Sequence, residues 1–367
     1  MRFCNRRRHD DTGATLTGLK YRLFRSVLET LYFSGAHVAL RPLLGGVGAI
    51  FALHSVRPAR PDRFQPNRLL EVTPKFFERV IRRLRRSGAD LVSMDEVHRR
   101  MTEGDFRRRF VAVTFDDGYR DTLEHAYPVL KKYQVPFAVY VATSFADRLG
   151  EMWWLALEAV VARNELIGIR IDGRDRWFEC RDVLQKRAAF DHIYWWLRQL
   201  GTEDELRHFV RELAARHRVD MAAICAELCM TWPEIAKLAT DPLVTIGAHT
   251  VNHVILSKVT EAAVRSELEN SRAVIEAALG ARPRHLAYPV GDTSAAGPRE
   301  FAIASELGFK TAVTMRPGVV YRRHCEHLTA LPRISLNGNF QRPRYAKVLM
   351  SGAPTALWNG FRPVNVS

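Results

Sequence analysis

The chain has 367 residues, 47% hydrophobic and 26% charged, which is room for one large domain or two ordinary ones with a full core. That excludes wholesale disorder, collagen-like repeats and a disulfide-stapled miniprotein. The net charge of +15 is local: residues 1–110 hold 23 basic and 11 acidic side chains, so the first third supplies +12 of it.

The basic start (Arg2, Arg6, Arg7, Arg8) is followed by no apolar h-region or small-residue cleavage site, so no signal peptide is read there. Leu16, Leu19, Leu23, Val27 and Leu31 recur at helical spacing, with Lys20, Arg22 and Arg25 between them. This predicts an amphipathic helix with a basic flank. Two uses are open to it: lying on an anionic membrane surface through residues 16–31, or packing its stripe on the main domain. The longest apolar stretch nearby, 43–53, spans 11 residues and is broken by three glycines. A membrane-spanning helix needs about 20, so none is expected.

Residues 48–55 read as a buried strand, followed by an Arg/Pro-rich loop at 57–68. Thr73 caps a helix with Pro74 in its first turn and Gly88 just past its end. A second buried strand at 111–116, a helix around 124–133 and a third strand at 137–142 follow. Strand and helix alternating in this way predict a parallel sheet of βαβ units. From about 145 to 240 the pattern turns to helical periodicity rich in aromatics, among them Trp153, Trp154, Trp177, Tyr194, Trp195 and Trp196. A strand at 243–248 resumes the alternation, then a helix from Thr260 to Gly280. Short strands near 285–288 and 311–314 flank a helix starting near Pro298.

The expected architecture is α/β. A barrel domain over 48–340 is interrupted by a helical insertion at 145–240, preceded by a basic segment at 1–47 and followed by a tail at 341–367. No internal repeat or low-complexity tract is present. The arginine clusters at 82–86 and 107–109 lack interleaved aromatics, so they read as solvated faces and no nucleic-acid partner is expected. The five cysteines (Cys4, Cys180, Cys225, Cys229, Cys325) are odd in number and form no C-x-x-C pair. They fit neither a zinc knuckle nor a secreted disulfide framework, and point to a reducing, cytoplasmic compartment.

Three segments carry chemistry. Thr114-Phe115-Asp116-Asp117-Gly118 places two adjacent carboxylates at the end of a predicted strand, where barrel active sites are built. Neighbouring residues there point in different directions, so one can bind a metal while the other faces a water; the alternative is a turn in which both cap the next helix. His249-Thr250-Val251-Asn252-His253 follows another strand. Two histidines four apart stack on one face if the chain turns helical, and with a carboxylate they make a two-His, one-Asp set with open positions. Ala287-Tyr288-Pro289-Val290-Gly291 is a turn that can aim a backbone N–H at a reacting oxygen, or an ordinary turn.

Taken together, T-F-D-D-G, H-T-x-x-H, A-Y-P-x-G and Leu331-Pro332-Arg333-Ile334 resemble the polysaccharide deacetylase family, with the NodB homology domain of nodulation-type chitooligosaccharide deacetylases. The likeness spans roughly 48–145 and 240–336. It implies a distorted (β/α) barrel and metal-dependent hydrolysis of acetyl groups on sugars. Residue by residue, it implies Asp116 as general base, and Asp117, His249 and His253 as ligands of a divalent metal, usually zinc. It further implies Tyr288 as an oxyanion-holding, substrate-contacting N–H donor.

His54, at the first strand's end, resembles a substrate-site histidine of some relatives, with a structural histidine as the alternative. Many members carry an Arg where this chain has Leu286-Ala287, and Arg333 is expected to orient Asp116 instead. Many also use a late His as general acid, but no His follows His327, which leaves the acid unassigned. The expected function is removal of acetyl groups from an N-acetylglucosamine-containing oligo- or polysaccharide. Two other readings are a deacylase of a lipid-linked sugar or other non-peptide amide at the same site, and a non-catalytic scaffold. The sequence sets no oligomeric state.

Overall fold

A computed structural model describes residues 12–366. Arg2, Arg6, Arg7, Arg8 and Cys4 lie outside the described residues, as do the side chains of Leu16 and Leu19. Eight parallel strands make the main sheet: β1 (Gly48–Leu53), β2 (Asp90–Leu91), β3 (Phe110–Phe115), β4 (Phe137–Val141), β5 (Val244–Ala248), β6 (His285–Ala287), β7 (Thr311–Pro317) and β8 (Leu331–Ser335). They run in the order β1-β8-β7-β6-β5-β4-β3, and β3 pairs back onto β1 from Gly48 opposite Phe110 to Leu53 opposite Phe115. Seven strands therefore close into a parallel barrel, with β2 added beside the start of β3.

Both faces of these strands are buried, which is why they read as unbroken apolar runs. Phe51, Leu53, Val113, Phe115, Val139 and Val141 face outward into the core shared with the surrounding helices. The alternate positions, among them Ile50, Ala112, Ala138 and Tyr140, fill the barrel. Thr114 belongs to this inward set, so Asp116, two residues on, leaves the strand over the barrel mouth.

The helices follow their local signals. α1 is Thr12–Phe33 and α2 is Pro74–Arg85. Thr73 Oγ1 accepts from Phe76 N at 3.4 Å to start α2. In the insertion, α3 (Val183–Gln199) and α4 (Glu203–Arg216) pack with Trp153–Arg163 and Met221–Leu228 around a separate core of Trp153, Leu157, Ile193 and Leu206. The insertion also holds a feature the helical reading did not include, the antiparallel hairpin Leu166–Ile171 and Arg174–Glu179. Its signal was local: Ile167, Ile169 and Ile171 alternate inward, and Asp172-Gly173 takes positive φ at both turn positions. α5 is Glu261–Leu279, capped by Thr260 and ended by Gly280 at φ 71°. α6 is Pro343–Leu349, and Tyr345, Ala346 and Val348 place the stretch after 340 in the main core.

The apolar stripe of α1 is rotated from the expected one. Leu23 is 66% exposed, while Leu28 is fully buried and Phe24, Leu31 and Tyr32 pack beside it. Tertiary contacts chose this face: Phe24 meets Phe340 and Trp358, and the Glu29 carboxylate binds Arg342, Arg344 and Tyr345. No helix of the described residues is long and apolar enough to cross a membrane.

Candidate active site

The C-terminal ends of β1, β3, β5 and β8 bring His54, Asp116, Asp117, His249, His253 and Arg333 to one mouth. Asp116 is 2% exposed and receives both arms of one guanidinium, Arg333 Nη1 to Oδ1 at 2.7 Å and Nη2 to Oδ2 at 2.6 Å. Arg333 is buried inside the barrel, so its remaining donors need partners. They have them: Nε donates to Thr314 O at 2.8 Å, and Nη1 also reaches Thr114 Oγ1 at 3.1 Å. Thr114 in turn donates to Phe51 O at 2.8 Å. Burial alone pushes the Asp116 carboxyl up; the charge and hydrogen bonds of Arg333, helped by His249 and His54, outweigh it and hold the group below the usual carboxylate range.

Arg333 points inward by strand alternation, since Leu331 fills the barrel and Ile334 faces the outer core. The β7–β8 register slips between the Val313–Leu331 and Pro317–Arg333 pairs, with the extra residues on β7 opposite Pro332, which has no N–H to give the ladder.

Asp117 turns away from Asp116 because its backbone takes φ 69°, followed by Gly118 at φ 70°. Its Oδ1 lies 3.2 Å from His249 Nε2 and 3.3 Å from His253 Nε2. Burial raises this carboxyl first, but the two imidazoles more than offset it and hold it well below its ordinary value. His249 Nδ1 donates to Ala287 O at 2.7 Å, which turns its Nε2 toward Asp117. Asp117 Oδ1 is buried and makes no hydrogen bond among the described residues. One carboxylate oxygen and two imidazole nitrogens thus converge, and the candidate ligand atoms of Asp117, His249 and His253 all lie within 4.8 Å of one another. That orphaned oxygen and two-nitrogen, one-oxygen donor set fit a divalent cation.

The expected helical stacking of the two histidines does not occur. Residues 249–255 form an irregular turn, and Thr250 at φ 64° and His253 at φ 54° swing the second ring back toward the first. Such φ values are strained outside glycine, most of all for β-branched threonine. Surrounding contacts hold the turn: Thr250 Oγ1 accepts from His253 N at 2.9 Å, and Glu267 on α5 accepts from Val251 N and Asn252 N, both at 2.9 Å. The His253 ring sits between Phe145, 5.6 Å away, and Trp154, 4.9 Å away.

Sequence reasoning passed over the insertion's share in this bracing. Arg207 on α4 donates to Asn252 O at 2.7 Å and His253 O at 3.3 Å, and pairs with buried Glu203 at 3.0 Å. Glu203 also accepts from Ile255 N at 3.2 Å. The i, i+4 Glu–Arg pair in a predicted helix was the only visible sign, and it looks like any surface pair.

Tyr288 is not where it was expected to act. Its backbone N–H donates to Val313 O at 3.1 Å as part of the sheet, so it is not free for an oxyanion. Its ring is fully buried against Phe301 and its hydroxyl donates to Thr329 O, so it does not contact substrate either. The N–H of that turn with no partner among the described residues belongs to Val290, at φ 61°. Val290 lines the cleft over the site, a cavity of about 360 Å³ floored by His54, Asp117 and His253 and walled by Trp153, Tyr194 and Trp195 of the insertion. His54 Nε2 lies 3.9 Å from Asp116 Oδ2, with its side chain 18% exposed to the cleft.

The sequence matches the polysaccharide deacetylase family over residues 103–171 and 182–312, more than half of the chain. The chain belongs to this family. It is a hydrolytic deacetylase with a NodB-type barrel. The matched region runs through much of the insertion and does not include His54 or Arg333.

Among solved structures, the Streptococcus pyogenes deacetylase PplD in complex with acetate is similar at 18% identity and a TM-score of 0.55, covering 81% of this chain and 95% of that one. IcaB from Ammonifex degensii is similar at 18% identity and a TM-score of 0.51, covering 82% and 97%. A polysaccharide deacetylase from Bacillus cereus, BC0361, gives 15% and 0.52, covering 82% and 68%. At these identities the likeness establishes the shared fold. Comparison with curated proteins gives no match.

Proposed function

We propose that this deacetylase removes N-acetyl groups from an N-acetylglucosamine-containing oligo- or polysaccharide, with a divalent metal, best suited to be zinc, held by Asp117, His249 and His253. The observation that carries the reading is the division of labour between adjacent carboxylates. One faces the Nε2 atoms of two imidazoles, while the other is locked to Arg333 and kept off that site. When bound, such a cation polarises an acetyl carbonyl and lowers the pKa of water from ~15.7 toward ~7.

The chain's own residues supply the rest. Asp116, ionised and oriented by the Arg333 fork, accepts the proton of the attacking water. Pairing makes it a weak base, which suits a water already made acidic. Val290 N–H is the backbone donor placed to face the developing oxyanion. His54, beside Asp116 and open to the cleft, is the group in place to protonate the departing amine, the role for which the sequence offered no late histidine. The aromatic wall suits sugar rings, whose apolar faces stack on indole and phenol.

A lipid-linked sugar or another amide is the second reading, favoured by Tyr21 of α1 reaching the cleft rim. A scaffold without catalysis has no need of an arginine buried to hold one carboxylate. The buried cysteines Cys180, Cys225 and Cys229, all unpaired, favour a reducing, cytoplasmic setting.

Acetate release from N-acetylglucosamine oligomers, with and without chelator, tests the proposal, with Asp116→Asn and His253→Ala alongside. Activity that chelator removes, zinc restores and both variants lose supports it. Unchanged turnover in either variant overturns the assignment. Metal bound at one equivalent with no acetate released moves the substrate to the second reading.

A further inference from the structure

We propose that the N-terminal end of the barrel carries a docking site for the phosphate headgroups of an anionic lipid membrane. A cavity of about 620 Å³ opens there between α2, α6 and the segments leading into β1 and β3. Arg79, Arg82, Arg83 and Arg86 line it from α2 and its end, Arg41 and Arg109 from the two segments, and Lys347 from α6. No Asp or Glu lines it, and none of these seven cations forms an ion pair among the described residues. Several other arginines are matched: Arg99 pairs with Glu96, Glu103 and Asp105, and Arg265 with Glu261 and Glu306. Seven cations around one cavity with no carboxylate in its wall repel one another, though Glu78 one turn back on α2 offsets part of the charge of Arg82, and a bound anion relieves that repulsion.

Two buried groups in the wall point the same way. His37 is 4% exposed; its Nδ1 bonds Leu31 O at 2.9 Å, and its Nε2 has no partner among the described residues. Arg109 gives its Nε to Gly46 O and its Nη2 to Gly45 O and Met350 O, but its buried Nη1 has no partner. Burial, with the neighbouring charge of Arg41, lowers Arg109 to about 10, the mark of a cation short of a counter-charge.

The apolar rim distinguishes a lipid from a soluble phosphate. The segment that supplies His37 and Arg41 also exposes Phe33, Val38 and Leu43, at 72%, 54% and 78%. A bilayer interface offers the anion and the apolar layer together. This surface is distinct from residues 16–31, where Leu28 is buried and Leu31 packs on the main core. Arg109 precedes β3 and Asp116 follows it, about 23 Å apart at ~3.3 Å per residue, so docking leaves the catalytic mouth uncovered.

Flotation of the full chain with vesicles tests this, using phosphatidylcholine alone and three parts phosphatidylcholine to one part phosphatidylglycerol. The chain should float only with the anionic vesicles, and less as salt rises. Arg79→Glu/Arg82→Glu/Arg83→Glu should weaken binding roughly tenfold or more, and Phe33→Ser/Leu43→Ser severalfold, with unchanged circular dichroism. Arg82→Gln/Arg83→Gln, expected to bind severalfold more weakly, covers the case in which charge reversal perturbs folding. Equal flotation by the arginine variants, or no flotation of the parent chain, overturns the proposal. So does binding of pyrophosphate or duplex DNA through these arginines while vesicles stay free.

Discussion

Arg333 and Asp116 form a buried ion pair whose value depends on every donor being used. Truncation to alanine leaves a carboxylate in the barrel without its counter-charge, which typically costs about 3–5 kcal/mol. Arg333→Ala should therefore unfold at markedly lower urea and lose turnover. Arg333→Lys restores the charge but not the fork, so it should recover stability more than kcat. Urea midpoints and kcat on both variants check this, and equal recovery of the two would refute an orienting role. His54 makes a separate prediction. If it protonates the departing amine, His54→Gln should lower kcat on N-acetyl substrates by about 10²-fold. An activated aryl acetate, whose leaving group needs no proton, should be much less affected; equal losses on both substrates would assign His54 to structure.

At the level of elements, the irregular turn after β5 is held by helices distant in sequence. Arg207 ties α4 to the carbonyls of Asn252 and His253, so Arg207→Ala should loosen His253 and weaken metal affinity by about 10–100-fold. Zinc competition against a chromophoric chelator reads this directly, and unchanged affinity would make Arg207 a purely structural residue. Outside the site, His324 is buried at 1% exposure and accepts Tyr321 N–H at 3.0 Å through Nδ1. Burial, only partly opposed by the Tyr321 carbonyl oxygen 3.3 Å from Nδ1, lowers its pKa from 6.5 to about 4. Protonation thus favours the unfolded chain: the contribution is complete above pH 6.5 and is lost as pH falls toward 4. It is worth up to about 3 kcal/mol. His324→Asn should show a shallower loss of stability over that window than the parent chain, measured by denaturant titration at each pH.

Across the whole molecule, the insertion is both lid wall and brace. It packs a core of its own, yet its Trp153, Tyr194 and Trp195 look into the cleft and its Arg207 holds the turn that carries His253. Trp195 is 55% exposed at the rim, so Trp195→Ala removes a stacking surface without opening the core. It should raise KM for oligomers severalfold while leaving kcat near the parent value. A fall in kcat with KM unchanged would contradict a role in substrate binding.

Much of this site was legible in the sequence because its chemistry is contiguous. D-D-G and H-x-x-x-H each sit at the end of an apolar run long enough to read as a buried strand, so the carboxylates and histidines were found together with their place in the barrel. Arg333 was found through its motif, although Pro332 hid its strand. Gly88 and Gly280 ended their helices as local propensity dictates. What the sequence could not decide were the features set by partners far along the chain. Whether Tyr288 N–H is free depends on Val313. Which face of α1 is buried depends on Phe340, Trp358 and Tyr345. How two histidines converge without a helix depends on Glu267 and Arg207 imposing φ values that threonine and histidine do not adopt unaided. Local propensity is written in neighbouring residues, whereas burial and strain are set by contacts that exist only once the barrel and its insertion have closed.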